Sequence, residues 1–149
     1  MKKILYICLV GITLFTSTAL SASLEDEKFP ADYFLIHKNM PHYMRIFSNY
    51  ENDLELGLNS EQKKEIQALR EKVVIQVSEL ALKIKEMELK VQKQVIFENR
   101  SALELQSLVN KIAKLRAELT LAHIGCIGKV KLIITEDQHS FFLDKLGIK

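Results

Sequence analysis

Two near-copies of one short signal, set far apart, constrain this chain more than anything else in it. The first is Leu58-Asn59-Ser60-Glu61-Gln62 and the second is Ile134-Thr135-Glu136-Asp137-Gln138. Each places an apolar residue before a small polar one, with Gln three positions beyond the polar residue. That is the spelling of a capping box. The polar side chain accepts from a backbone N–H one turn in, and the Gln reaches back to the cap's own N–H. Each copy predicts a helix start, and between them there is room for one long helix, a turn and a second long helix.

The residues between the signals carry the matching period. From Ser60 to about Phe97 the apolar positions are Ile66, Leu69, Val73, Val77, Leu80, Ile84, Met87, Val91 and Val95. Eight steps cover 29 residues, about 3.6 per step, which is the α-helical repeat. No Gly or Pro interrupts the run. Asn99-Arg100-Ser101 then predicts a turn, with Ser101 as N-cap and Glu104 three residues on. A second series, Leu105, Leu108, Ile112, Leu115, Leu119 and Ala122, extends through Cys126, Val130 and Ile133 if the helix tolerates Gly125 and Gly128. Each interior glycine costs roughly 1 kcal/mol relative to Ala; the pair could instead mark a kink or a close backbone approach.

The expected fold is therefore all-α: a long antiparallel helical hairpin with short flanking helices. One flanking helix is expected from about Pro41 to Asp53, with Met44, Phe47 and Tyr50 or Glu51 along one side. The other is expected from Glu136 to about Leu146, burying Phe141, Phe142 and Leu146. A lone hairpin cannot cover both apolar faces, so a homodimer is expected.

Ahead of these elements, Lys2 and Lys3 precede an apolar run from Ile4 to Phe15 and then small residues up to Ala22. Ala19 and Ser21 satisfy the small-x-small rule, so residues 1–21 read as a cleavable secretory signal peptide, with cleavage after Ser23 as the near alternative. The apolar run is shorter than the ~20 residues that a spanning helix needs. Residues 22–36 read as a flexible arm, acidic at Glu25-Asp26-Glu27 and aromatic at Phe29, Tyr33 and Phe34, through which it could dock. Residues 37–149 read as the helical domain.

Composition narrows the function. Removing residues 1–21 takes Lys+Arg from 21 to 19, against 19 Asp+Glu, so the mature chain is formally neutral. A general nucleic-acid binder needs a basic footprint and is not expected. Cys8 leaves with the leader, and the single remaining cysteine, Cys126, cannot form an intramolecular disulfide.

Two candidate sites remain. Bases stand beside apolar residues on the long helices, among them Arg70, Lys72, Lys83, Lys85, Lys114 and Arg116. Such a surface could attract acidic, partly unfolded proteins and hold their apolar segments. The plainer reading is a solvated face supporting a dimer seam, and interleaved Glu residues favour it. His37, Met40, His42 and Met44 lie within eight residues, and His123 and Cys126 are three apart on one helix face. Imidazole, thioether and thiol donors together suit copper, zinc or nickel. Equally, the methionines and Cys126 could be packing residues and the histidines incidental. His139 is expected at the surface. Nothing places a base beside a nucleophile, so an enzyme is not expected.

The paired apolar-Thr-x-x-Gln signals behind a signal peptide, around an all-helical middle, resemble the Spy/CpxP family of periplasmic proteins. The likeness covers roughly residues 40–147 and rests on Leu58, Asn59, Gln62, Ile134, Thr135 and Gln138. Asn59 stands where Thr is usual and Ile134 where Leu is usual; Asn caps helices as well as Thr does. The resemblance implies a cradle-shaped intertwined dimer in the periplasm that binds unfolded or misfolded proteins without ATP. Its CnrX and ZraP branches imply a metal sensor or scavenger instead. A membrane sensor kinase that the protein regulates stays open as a further partner. Here the histidines fall further upstream, and His123 and Cys126 sit in a different register, so the likeness carries over no metal ligand. Catalysis is not implied, and no cofactor is required beyond that candidate ion.

Overall fold

The computed structural model describes residues 31–36 and 40–148 of the chain. Among these, every regular element is helical: a single 3-10 turn at Ala31–Tyr33, then α1 (Tyr43–Tyr50), α2 (Ser60–Ile96), α3 (Ala102–Ile133) and α4 (Glu136–Lys145). The all-α expectation holds. The predicted signal peptide, residues 22–30 of the predicted arm and the candidate ligand His37 lie outside the described residues. No helix among the described residues is long and apolar enough to cross a membrane.

Three of the four α-helices begin at capping boxes. The Asn59 side chain accepts from the Gln62 N–H at 2.9 Å, Ser101 from Glu104 at 3.4 Å and Thr135 from Gln138 at 3.3 Å. In each, the third residue reaches back to the cap's N–H. At the far end of α2, Asn99 takes a left-handed φ of 51°, and the Arg100 N–H donates to the Gln94 carbonyl at 3.1 Å. This bond, spanning six positions, satisfies one orphan carbonyl of the last turn, and Asn99 takes the left-handed position where Gly is commoner.

The two signal copies meet, though they lie 76 residues apart. Gln62 Oε1 accepts from the Asn59 N–H (3.0 Å), and Gln138 Oε1 accepts from the Thr135 N–H (3.0 Å). Gln62 Nε2 donates to Gln138 Oε1 (2.8 Å) and to the Ile133 carbonyl (2.9 Å). Gln138 Nε2 donates to Gln62 Oε1 (3.2 Å) and to the Gly57 carbonyl (3.1 Å). Each amide thus uses both donors and both acceptor positions. The clasp ties the start of α2 to the α3–α4 junction. Gly57 supplies its carbonyl from a turn at φ 58°, a conformation costly for residues with a Cβ.

Away from that clasp α2 and α3 also meet at the Arg116–Glu88 ion pair. Two apolar clusters fill the seam. One unites Tyr43, Ile46 and Phe47 of α1 with Leu56, Leu58, Ile66, Val130, Ile134, Phe141 and Phe142. The other unites Phe34 with Val73, Val77, Ile84, Leu119 and Cys126. Fully burying one such side chain stabilises by about 1.5–3 kcal/mol, so these positions dominate the fold's stability.

Some expectations shift. The first short helix begins at Tyr43 rather than Pro41 and ends at Tyr50, and its buried residues are Tyr43, Ile46 and Phe47. Met44, expected on one side with Phe47 and Tyr50, is half-buried and packs against both apolar clusters described above. α4 stops at Lys145, with Leu146 half-buried beyond it. α3 runs unbroken through Gly125 and Gly128, and a Cβ at either would meet nothing within 4 Å. Neither glycine marks a break or a close approach among the described residues. Both are exposed, so missing side chains leave no hole there.

Candidate functional site

α2 and α3 each carry a second apolar line, facing away from their shared seam. On α2, Ile75, Leu82, Leu89 and Ile96 recur every seven residues and are 62, 60, 55 and 57% exposed. Seven residues are close to two helical turns, so the four form one stripe about 32 Å long. It lies roughly opposite the buried positions Val73, Val77 and Ile84. On α3 the corresponding side holds Leu121, Ile124 and Leu132, which are also exposed. At the end where α2 gives way to α3, Phe97 and Leu103 are exposed as well. Periodicity counted only toward the seam misses these lines, although the spacing of seven is legible in the sequence.

The candidate bases divide between those that are open and those that are engaged. Lys72, Lys83, Lys85 and Lys114 are exposed, and Arg70 is half-buried. Lys83 and Lys85 flank Leu82 on α2, while Lys114 stands on the outward side of α3. Arg116 is committed within the chain. Its Nε donates to Glu88 Oε1 at 3.2 Å, its Nη1 donates to the Asp32 carbonyl at 3.0 Å, and its guanidinium lies 5.6 Å from the Tyr33 ring centre.

Arg116 leads to the docked part of the arm, whose aromatics are expected from the sequence to dock and whose partners on α3 the sequence does not reveal. Residues 31–36 lie against α3. Phe34 is 3% exposed and packs 5.1 Å, ring to ring, from His123. The Leu35 N–H donates to Thr120 Oγ1 at 2.9 Å, and that hydroxyl donates to the Arg116 carbonyl at 2.8 Å. The available signals were the aromatic pair Tyr33-Phe34 in an acidic stretch and a lone hydroxyl, Thr120, on an apolar face.

The candidate metal donors come together in part. The His42 and His123 rings lie 4.9 Å apart, centre to centre, tilted by 43°. Burial lowers both imidazole pKa values. The nearby Arg45 charge adds to this at His42 and His42 itself adds at His123, while a hydrogen bond to the Pro41 backbone opposes it. Both rings are therefore neutral at pH 7, the state that binds metals. Cys126 is buried in the second cluster, and burial pushes its thiol up to about 11 despite nearby Lys129. Using it as a thiolate ligand would first cost that deprotonation. Met44 packs against both clusters, and Met40 is half-buried. No three His, Cys, Asp or Glu side chains among the described residues are grouped to hold an ion.

His139 departs from expectation. It is half-buried, with Nε2 2.7 Å from the Tyr43 hydroxyl, so it joins α4 to α1 rather than standing in solvent.

Comparison with protein-family models, curated proteins and solved structures gives no match. The likeness to the Spy/CpxP family rests on the motif residues and their spacing.

Proposed function

We propose that this chain is an exported, periplasmic, ATP-independent binder of unfolded or stress-damaged proteins, working as a homodimer of helical hairpins that together form a cradle. The observation that carries the reading is the pair of outward apolar lines on α2 and α3. Large exposed apolar patches mark interaction surfaces more often than they mark ordinary solvated faces. Here Ile75, Leu82, Leu89 and Ile96 on one helix and Leu121, Ile124 and Leu132 on the next stand out of the core. Lys83, Lys85 and Lys114 lie among them and supply long-range attraction for acidic chains. One line can bury against a second copy and the other can hold a client, so dimerisation and client binding are compatible.

The test is suppression of aggregation of a reduced, unfolding model client by the mature protein. Leu82→Glu and Leu121→Glu, together, should weaken it at least about tenfold, since each buried leucine is worth about 1.5–3 kcal/mol. Raising salt from 50 to 500 mM should weaken it further by screening the lysines. Unchanged protection by the double variant sinks this reading.

A second reading, a metal sensor or scavenger for copper, zinc or nickel, is favoured by one observation: His42 and His123 arrive from different segments with neutral rings 4.9 Å apart. Native mass spectrometry with added Cu(I), Zn(II) and Ni(II) decides it. One ion per chain, lost in His42→Ala/His123→Ala, supports the metal site. A chain that stays metal-free, or retains its ion in that variant, refutes it.

A further inference from the structure

Residues 32–35 lie on α3 in the manner of a bound peptide. Phe34 enters the seam and is buried with Val73, Val77 and Leu119. On its two sides the backbone is gripped. Arg116 donates to the Asp32 carbonyl at 3.0 Å, and Thr120 accepts from the Leu35 N–H at 2.9 Å. A carbonyl and an amide three residues apart would bond each other in a closed β-turn; here α3 satisfies both instead.

This grip is selective for little. Two of its contacts read backbone, which every polypeptide has, and the others read aromatic rings: Phe34 in the seam and Tyr33 below the Arg116 guanidinium. The side chains of Asp32, Leu35 and Ile36 remain exposed. Any short segment with an aromatic residue and an accessible backbone fits the same description. Such segments are buried in folded proteins and available in unfolded ones.

We propose, resting on the client-binding reading above, that residues 32–35 are a self-ligand. They occupy a groove on α3 that takes aromatic-centred segments of unfolded polypeptides, and they yield to a client in competition. Tethering gives the strap an effective concentration in the millimolar range, so it shields the groove from weak encounters. A client's apparent affinity is then reduced in proportion to the fraction of chains with the strap lifted.

The experiment uses the full mature chain and a fluorescein-labelled peptide with the sequence of residues 29–36, read by fluorescence anisotropy. Phe34→Ala, which empties the groove, should bind the peptide at least about tenfold more tightly than the unaltered chain. Adding Thr120→Val, which removes the backbone acceptor, should reverse most of that gain. Tyr33→Ala keeps Phe34 in place and serves if Phe34→Ala fails to fold; it should bind the peptide more tightly than the unaltered chain, by a smaller factor. Equal binding by the unaltered chain and whichever strap variants fold overturns the proposal. The two readings separate in the aggregation assay. Tighter peptide binding without any client protection retains the self-ligand and removes the client reading. Strong client protection, equal in all variants, keeps the client reading and removes the self-ligand.

Discussion

Replacing Gln138 by Ala cuts four hydrogen bonds at once: those to the Thr135 N–H and the Gly57 carbonyl, and the two exchanged with Gln62. A typical intramolecular hydrogen bond contributes ~0.5–1.5 kcal/mol net. Gln138 is half-buried, so water takes over some of the severed partners. The expected loss is about 2–3 kcal/mol. Gln62→Ala also cuts four, to Asn59, Ile133 and twice to Gln138, with a similar expected cost. The double variant is the sharper test. The two glutamines share two bonds that can be lost only once, so the double should be less damaging than the sum by about 1–2 kcal/mol. Urea denaturation followed by far-UV circular dichroism measures all three. Gln67→Ala is the control: its side chain bonds only Glu71, one turn on at an exposed site, so its cost should stay within about 0.5 kcal/mol. Gln138→Glu adds a check on chemistry. A carboxylate keeps the acceptor for Thr135 but cannot donate to Gly57, so its deficit against the unaltered chain should narrow as pH falls through about 4.3 and the carboxyl gains a proton. If the two alanine variants are additive within about 0.3 kcal/mol, the clasp is not a coupled unit and the reasoning fails.

Other consequences are cheaper to check. Ile84→Ala, at a fully buried position, should cost about 2–5 kcal/mol, and Glu79→Ala, exposed on the far side of α2, should stay within about 0.5 kcal/mol; similar costs would mean the seam face is misassigned. Cys126, with its thiol pushed up to about 11 and its side chain buried, should react with an aromatic disulfide reagent at pH 8 at least about a hundredfold more slowly in the native protein than in urea; equal rates would contradict its burial. His42 and His123 have folded-state pKa values below the ordinary 6.5, so between those values the unfolded chain binds more protons. Their contribution is fully present above pH 6.5 and is lost as pH falls through the folded values. In chelator-treated protein, Tm should decline from pH 7.5 to 5, and the decline should flatten in His42→Gln/His123→Gln; an equally steep decline in that variant would assign the effect elsewhere.

Much of this molecule was legible along the chain because its signals are local. A capping box links residues three apart, and an apolar repeat of about 3.6 needs only the helix to express it. Hence α2, α3 and α4 begin after Asn59, Ser101 and Thr135, as their sequence predicts. Helix α1 was less legible, since a helix of 8 residues owes its limits to what it packs on rather than to propensity. Likewise Arg116 read as an open base, though the tertiary structure commits it to Glu88, Tyr33 and the Asp32 carbonyl.

By itself, then, the sequence determined the helical class, the starts of α2, α3 and α4 and most of the seam-facing residues, though Val95 of the expected series is exposed; all are set by backbone geometry within one or two turns. Only the tertiary structure decided that the two Gln side chains clasp each other, that His42 meets His123, and that Phe34 fills the seam. Each of those contacts joins residues more than 35 positions apart, so each depends on how far α3 slides along α2 and where the segments before α1 settle. No local pattern encodes that register. The summed packing of the two apolar clusters sets it, and the side chains at the candidate sites inherit their neighbours from it.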